Sequence, residues 1–238
     1  MAATVLAKLE RDVEIGITTY DLDQAGKKYM AELGCKSACF NYEVGSHIYP
    51  SHTCLSVNDE IVHGIGSLDR RLDEGDVITL DVCVAYKGYV GDNAKTVIVG
   101  KARNEHEQFL VRHTKAALEA GIAAATPKNR VGDISATIQK YLGRQNLGII
   151  RDFVGHGVGK SMHEPPQIPN FGRRKTGAKL RPGMTLAIEP MVSLGSPQTK
   201  MLDDGWTAVT RDGSTAAHFE HTVLITDDDP EILTVPNL

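Results

Sequence analysis

Asp81 and Asp92 lie in "TLDVCVAYKGYVGDNAKT" (79–96), a run of β-branched and aromatic residues where a buried strand ordinarily carries Val or Ile. A turn centred on Lys87-Gly88 would set Tyr86 opposite Tyr89 and Asp92 opposite Cys83. Alternation then puts Asp81 and Cys83 on one face, so the aspartates become diagonal neighbours with Cα atoms about 7–8 Å apart. Two carboxylates that close in a dry place cost free energy until protons or cations neutralise them. The spacing therefore points to acid–base or metal chemistry.

An internal echo enlarges the set. "VHGIG" (62–66) returns as "GHGVG" (155–159), "EGDVITLD" (74–81) as "PGMTLAIE" (182–189), and "DNAKTVIV" (92–99) more loosely as "EHTVLIT" (220–226). Each half runs from a His-Gly pair to an acid ending an apolar strand, then to a second acid opening one. The order suggests two related halves facing each other across a pseudo-twofold axis, with Glu189 and Glu220 repeating the geometry of Asp81 and Asp92. His156 adds an imidazole. Few Lys or Arg lie in these strands, so cations are the economical partners for four acids. An oxygen-rich set with one nitrogen suits Mn²⁺, Fe²⁺ or Co²⁺, and five ligands suffice for two ions about 3.5–4 Å apart. A metal-free, proton-sharing pair accounts for two acids and leaves three donors idle. Any one acid alone also fits an exposed strand edge.

The elements that must position these residues are visible in outline. Helical spacing covers 2–15 and 21–33, with Thr18 or Thr19 as a cap, then 104–125 behind Asn104 with Pro127 beyond its end, then Asp133–Leu147. Strands are predicted at 53–57, 77–84, 89–99, 184–193, 206–210 and 217–226. No linker or low-complexity tract divides the 238 residues, so a single domain spanning 1–238 is expected. The net charge of −4 argues against nucleic acid as the main partner, and the basic "GRRKTGAKLR" (172–181), without interleaved aromatics, reads as a solvated loop. The sequence has no membrane-length apolar run and no signal-peptide layout, which leads to a cytoplasmic expectation. Cys35, Cys39, Cys54 and Cys83 match no zinc spacing and read as reduced, small apolar fillers.

At these residues the chain resembles the type I methionine aminopeptidases, members of the pita-bread metallopeptidases, over nearly its whole length. The likeness rests on "SVNDEIVHGI" (56–65), "DVCVAYKGYVGD" (81–92), "GHGVGKSMHEPP" (155–166), "RPGMTLAIEPMV" (181–192) and "DGWTAVTRDGSTAAHFEHTVLIT" (204–226). It implies an α+β pita-bread fold, two pseudo-symmetric halves with a curved antiparallel sheet covered by helices. It also implies two divalent ions, with Asp81 on one, His156 and Glu189 on the other, and Asp92 and Glu220 bridging. Glu189 would carry a proton to the leaving nitrogen, His63 would orient the scissile amide and His163 would stabilise the oxyanion. Trp206, Tyr49, Cys39 and Cys54 would line the pocket for the methionine side chain. Met162 replaces a residue that is commonly Phe, the loop "FNYEVGSHIYP" (40–50) is longer than usual, and the amino end starts inside the family's first helix.

The activity implied is removal of the N-terminal methionine from nascent peptides and proteins with a small second residue. The alternatives are a pita-bread binding module that has lost its chemistry, and an aminopeptidase with another first-residue preference. The implied partners are peptide N-termini and no membrane. Ribosome docking stays open, and nothing in the sequence demands more than a monomer.

Overall fold

The computed structural model describes residues 1–236 and leaves out the last two residues of the 1–238 span. Its spine is the expected hairpin. Strands Val77–Tyr86 and Tyr89–Ile98 pair antiparallel with Tyr86 opposite Tyr89, Cys83 opposite Asp92 and Asp81 opposite Ala94. Lys87 and Gly88 both take positive φ, 48° and 80°, as a two-residue turn matched to strand twist requires.

This hairpin is one side of the main sheet, whose order is Lys36–Ser37, Val77–Tyr86, Tyr89–Ile98, Glu220–Leu224, Thr185–Ile188, Gly155–Gly157 and Glu164–Ile168. Cys54–Val57 also pairs with Val77–Tyr86, setting Cys54 opposite Asp81. The halves meet where Tyr89–Ile98 pairs with Glu220–Leu224, with Ala94 opposite Glu220. Each half enters its first acid strand through a glycine of positive φ, Gly75 at 84° and Gly183 at 91°. Both glycine N–H groups donate to the far strand's end, at the carbonyls of Val99 (2.7 Å) and Ile225 (2.9 Å). The echoed glycines thus do the same work in both halves.

Helices α1 (Ala2–Asp12) and α2 (Thr19–Glu32) cover the back of the first half, and α3 (Glu105–Ala123) and α4 (Val131–Gly143) that of the second. Leu9, Leu22, Leu55, Ile78 and Leu80 fill one core, and Leu110, Leu118, Ile138, Leu186 and Val223 the other. No described helix is long and apolar enough to cross a membrane. Caps set the helix ends. The Thr18 hydroxyl accepts from Asp21 N–H at 3.0 Å while the Asp21 carboxylate accepts from Thr18 N–H, so α2 begins two residues before the expected start. Asn104 caps α3 as predicted. In α4 Asp133 is not the first residue but the third, reaching back to Arg130 N–H, and the helix ends at Gly143 rather than at Leu147. α1 stops at Asp12, short of the expected 15, because Val13 is extended (ψ 111°).

Two predicted strands need correction. The 184–193 run is not continuous: Thr185–Ile188 lies in the main sheet, and after Glu189-Pro190 the chain passes as Met191–Ser193 into a small sheet. The 217–226 run breaks opposite, at Phe219, giving Ala216–His218 in the small sheet and Glu220–Leu224 in the main one. Pro190 has no N–H to continue a ladder. The bend leaves Glu189 and Glu220 at a corner between sheets.

His156 is held close to this corner by its flanking glycines. A Cβ on Gly155 would lie 2.4 Å from the Ala187 carbonyl oxygen, and one on Gly157 2.4 Å from that of Pro165. Gly155→Ala should therefore prise the His156 strand from Thr185–Ile188 and cost about 1–3 kcal/mol. A urea midpoint equal to that of the parent chain would contradict this packing.

Candidate metal centre

The sheet register brings the acids together. Asp81 faces Ala94, and Ala94 faces Glu220 on the next strand. Ile188 faces His221, so Glu189 follows beside Glu220. Asp92 is fixed by Thr222 of the other half, whose hydroxyl donates to the Asp92 carbonyl (2.7 Å) and accepts from its N–H (3.2 Å). The second pair does not repeat the first, contrary to the expectation from the echo. Asp81 and Asp92 are diagonal, whereas Glu189 and Glu220 lie side by side. The residue diagonal to Glu189 is His218, opposite Met191, in the place that Asp92 takes opposite Cys83. The His-Gly echo is also loose in space. His156 lies on the strand next to the second acid strand, while His63 lies one segment further out, where Leu55 N–H donates to the Gly64 carbonyl at 2.8 Å.

Donor atoms of Asp92, His156 and Glu220 lie within 4.8 Å of one another, as do those of Asp81, Cys83 and Asp92. Asp92 belongs to both groups. His156 Nδ1 sits 2.9 Å from the Gly157 carbonyl oxygen, which can only accept, so the proton is on Nδ1. The Nε2 lone pair then faces Glu189 Oε1 at 3.3 Å and Asp92 Oδ2 at 3.9 Å. These contacts are not salt bridges, because burial pushes the imidazole down to about 4 and it is neutral. A lone pair aimed at carboxylates needs a cation or proton between them.

The carboxylates show the same need. Burial lifts Asp92 to about 7. Burial, then the neighbouring acids, push Asp81, Glu189 and Glu220 well above the carboxylate range. Glu220 Oε1 is buried with no hydrogen-bond partner. An orphaned oxygen, a neutral imidazole with a free Nε2 and four crowded acids form a donor set that fits hard divalent cations. The Asn170 amide donates to the Glu189 carbonyl at 3.0 Å and fixes that corner.

All twelve residues expected at the site, the five donors together with His63, His163, Trp206, Tyr49, Cys39, Cys54 and Met162, line one cavity of about 210 Å³. Tyr49, Cys39, Cys54 and Cys83 form its apolar wall, with Met162 and Trp206 packed against them. The Tyr49 hydroxyl donates to the Gly64 carbonyl at 2.8 Å, tying this wall to the His63 segment. His63 is held at φ 60°, a left-handed conformation costing about 1–3 kcal/mol in a non-glycine residue. Its ring packs edgewise on Phe153 and Trp206. His163 is exposed at the mouth, with Nδ1 2.8 Å from the Tyr42 hydroxyl. The 40–50 loop forms a small hairpin, Glu43–Val44 with His47–Ile48, and sends Tyr42 and Val44 to the rim.

Sequence reasoning missed Tyr42, Cys83 and His218. Reading Cys83 as an apolar filler was incomplete, because its Sγ lies 2.7 Å from Asp92 Oδ1. His218 is buried, with neither ring nitrogen hydrogen-bonded, and its Nε2 is 3.6 Å from Glu189 Oε2. It lies two residues before Glu220, outside the "EHTVLIT" echo that points to the acid.

A fold of two helix-covered halves with acids gathered at their seam defines a metallopeptidase of pita-bread architecture. The sequence pattern of metallopeptidase family M24 matches residues 1–227, and the chain belongs to that family. It is 42% identical to the methionine aminopeptidase of Mycoplasma capricolum, over 98% of this chain and 93% of that one. The methionine aminopeptidase structure from Thermotoga maritima superposes with a TM-score of 0.93 at 45% identity, over 98% of this chain and 92% of that one. That from Rickettsia prowazekii gives 0.94 at 35% identity over the same shares.

The pH dependence of the metal-free protein follows from these shifts. Raised carboxylate values favour the folded state at low pH and lose that benefit as pH rises through them; lowered histidine values act oppositely below 6.5. Around neutral pH the lowered histidines and the lowered Cys39 thiol oppose the acids, so the metal-linked difference is the cleaner readout. An ion must displace the protons that the raised acids hold, so Mn²⁺ should raise the Tm of the chelated protein more at about pH 8 than at pH 6.5. Calorimetry showing an equal or smaller Mn²⁺ effect at the higher pH would refute the crowding of the acids.

Proposed function

We propose that this protein removes the N-terminal methionine from peptides and proteins with a small second residue, using two divalent ions held by Asp81, Asp92, His156, Glu189 and Glu220. The observation that carries the reading is the convergence of these donors at the floor of a cavity whose upper wall is apolar. Asp92's membership of both donor groups supports two ions, and the oxygen-rich set favours Mn²⁺, Fe²⁺ or Co²⁺. Bound there, such ions supply an activated water and polarise the scissile carbonyl. Asp81 and Asp92 come from one half and the other three ligands from the second, so residues 1–238 act as one catalytic domain.

The chain's own residues set the rest. The acidic floor attracts a free α-amine, which limits cleavage to the first residue. Tyr49, Cys39, Cys54, Met162 and Trp206 offer an unbranched thioether an apolar slot. Glu189, whose carboxylate faces the cavity at the corner between the sheets, carries the water's proton towards the leaving nitrogen. Partial loss of water around both rings, His63 inside the cavity and His163 at its mouth, holds them below the usual imidazole range, so each can present one N–H donor at neutral pH. His63 orients the amide and His163, at the mouth beside Tyr42, stabilises the oxyanion. Four free thiols suit a reducing compartment, and the cytoplasm is the location proposed.

A panel of tripeptides differing only at the first residue, assayed with each metal, tests the activity. Met-Ala-Ser should be cleaved, and Leu-Ala-Ser and Nα-acetyl-Met-Ala-Ser should not. Preference for another first residue would reassign the specificity, and binding without cleavage would favour a recognition module. Asp92→Asn should lower turnover more than about 100-fold and reduce bound metal with the circular dichroism unchanged. His63→Ala should lower kcat about 100-fold with full metal content. Loss of metal in that variant would show that His63 is not a substrate contact.

A further inference from the structure

Cys83 is the donor that the five-ligand set leaves unused. It sits between the two aspartates, opposite Asp92 on the neighbouring strand and two residues after Asp81. Its Sγ approaches Asp92 Oδ1 at 2.7 Å and Asp81 Oδ1 at 3.9 Å, and atoms of the three residues lie within 4.8 Å of one another. Zn–O of about 2.0–2.2 Å and Zn–S of about 2.3 Å would set neighbouring sulfur and oxygen about 3.1–3.6 Å apart, so Sγ stands a short side-chain adjustment from ligating an ion held by the two aspartates. The Cys83 side chain is buried in the cavity wall at the Asp81–Asp92 end. An apolar filler would be expected to aim away from carboxylates. This one points into them.

We propose that Cys83 is a sulfur ligand of the centre, binding the ion held by Asp81 and Asp92 and giving it an affinity for soft, thiophilic cations. The inference rests on the metal-binding reading above. On binding, the Cys83 S–H bond breaks, an Sγ–metal bond forms, and one proton leaves to solvent; without an ion the same hydrogen is donated to Asp92. A coordinating thiol loses its proton to a divalent cation. Thiolate beside carboxylate makes a mixed site, harder than a cysteine zinc site and softer than one built from oxygen and imidazole alone. The ion at this end therefore differs in character from the one near His156, and Cd²⁺ or Zn²⁺ should compete for it.

Cobalt titration of the chelated full-length protein tests this by absorption rather than turnover. Visible d–d bands should appear with added Co²⁺, accompanied by a near-ultraviolet sulfur-to-cobalt charge-transfer band. That second band should vanish in Cys83→Ser and in Cys83→Ala while the visible bands remain. It should persist in Cys39→Ser and Cys54→Ser. Competition titrations should show Cd²⁺ affinity falling about tenfold or more in Cys83→Ser, with Mn²⁺ affinity little changed. Visible bands without the charge-transfer band, or with one that survives both Cys83 substitutions, would overturn the sulfur ligand and leave the centre intact. Absence of any cobalt bands would instead overturn the metal centre itself.

Discussion

Four crowded carboxylates, three of them around the neutral imidazole of His156, are the constraint on which the rest of this structure depends. In water such groups repel weakly; under a sheet and two helix pairs, each raises the others' proton affinity. Glu220 keeps a buried oxygen with no partner, and the His156 Nε2 lone pair faces acids. A protein could remove this conflict by replacing an acid with an apolar residue. That it holds the conflict instead, with Thr222 and Asn170 pinning the backbone beside Asp92 and Glu189, marks the cluster as a cation receptor.

The fold reads as the device that creates this crowding. Each half pairs two antiparallel acid-bearing strands, the first entered through a positive-φ glycine, and buries their back under two helices. Joining the halves along Tyr89–Ile98 and Glu220–Leu224 puts the acid rows in register. The duplication is only approximate at the donors, and the departures matter. Glu189 and Glu220 stand side by side, and His218 occupies the diagonal place that Asp92 holds in the first half. One end of the centre is thus lined by acids and a thiol, the other by acids and imidazoles.

Much of this was legible in the sequence where the signal was local. The Lys87-Gly88 turn and simple alternation give the register of the first hairpin and the diagonal placing of its aspartates. Caps at Thr18 and Asn104 need only a few residues. The break in 184–193 was announced by Pro190 but was overridden by the apolar run around it. What stayed hidden depends on contacts between distant segments. His218 gains its place from pairing with Met191, and Tyr42 from a short hairpin that carries it to His163. Cys83 is a different case: the hairpin register already sets it opposite Asp92 and two residues from Asp81, and only its residue type, read as a small apolar filler, hides it. The pocket residues were reached through resemblance rather than spacing.

The central claim is that the buried acids exist to hold divalent cations between the halves. Anomalous scattering from crystals grown with manganese addresses it directly. The account predicts two peaks, both within bonding distance of Asp92 and Glu220, one beside Asp81 and the other beside His156 and Glu189. Peaks elsewhere, or none among these five side chains, would contradict it.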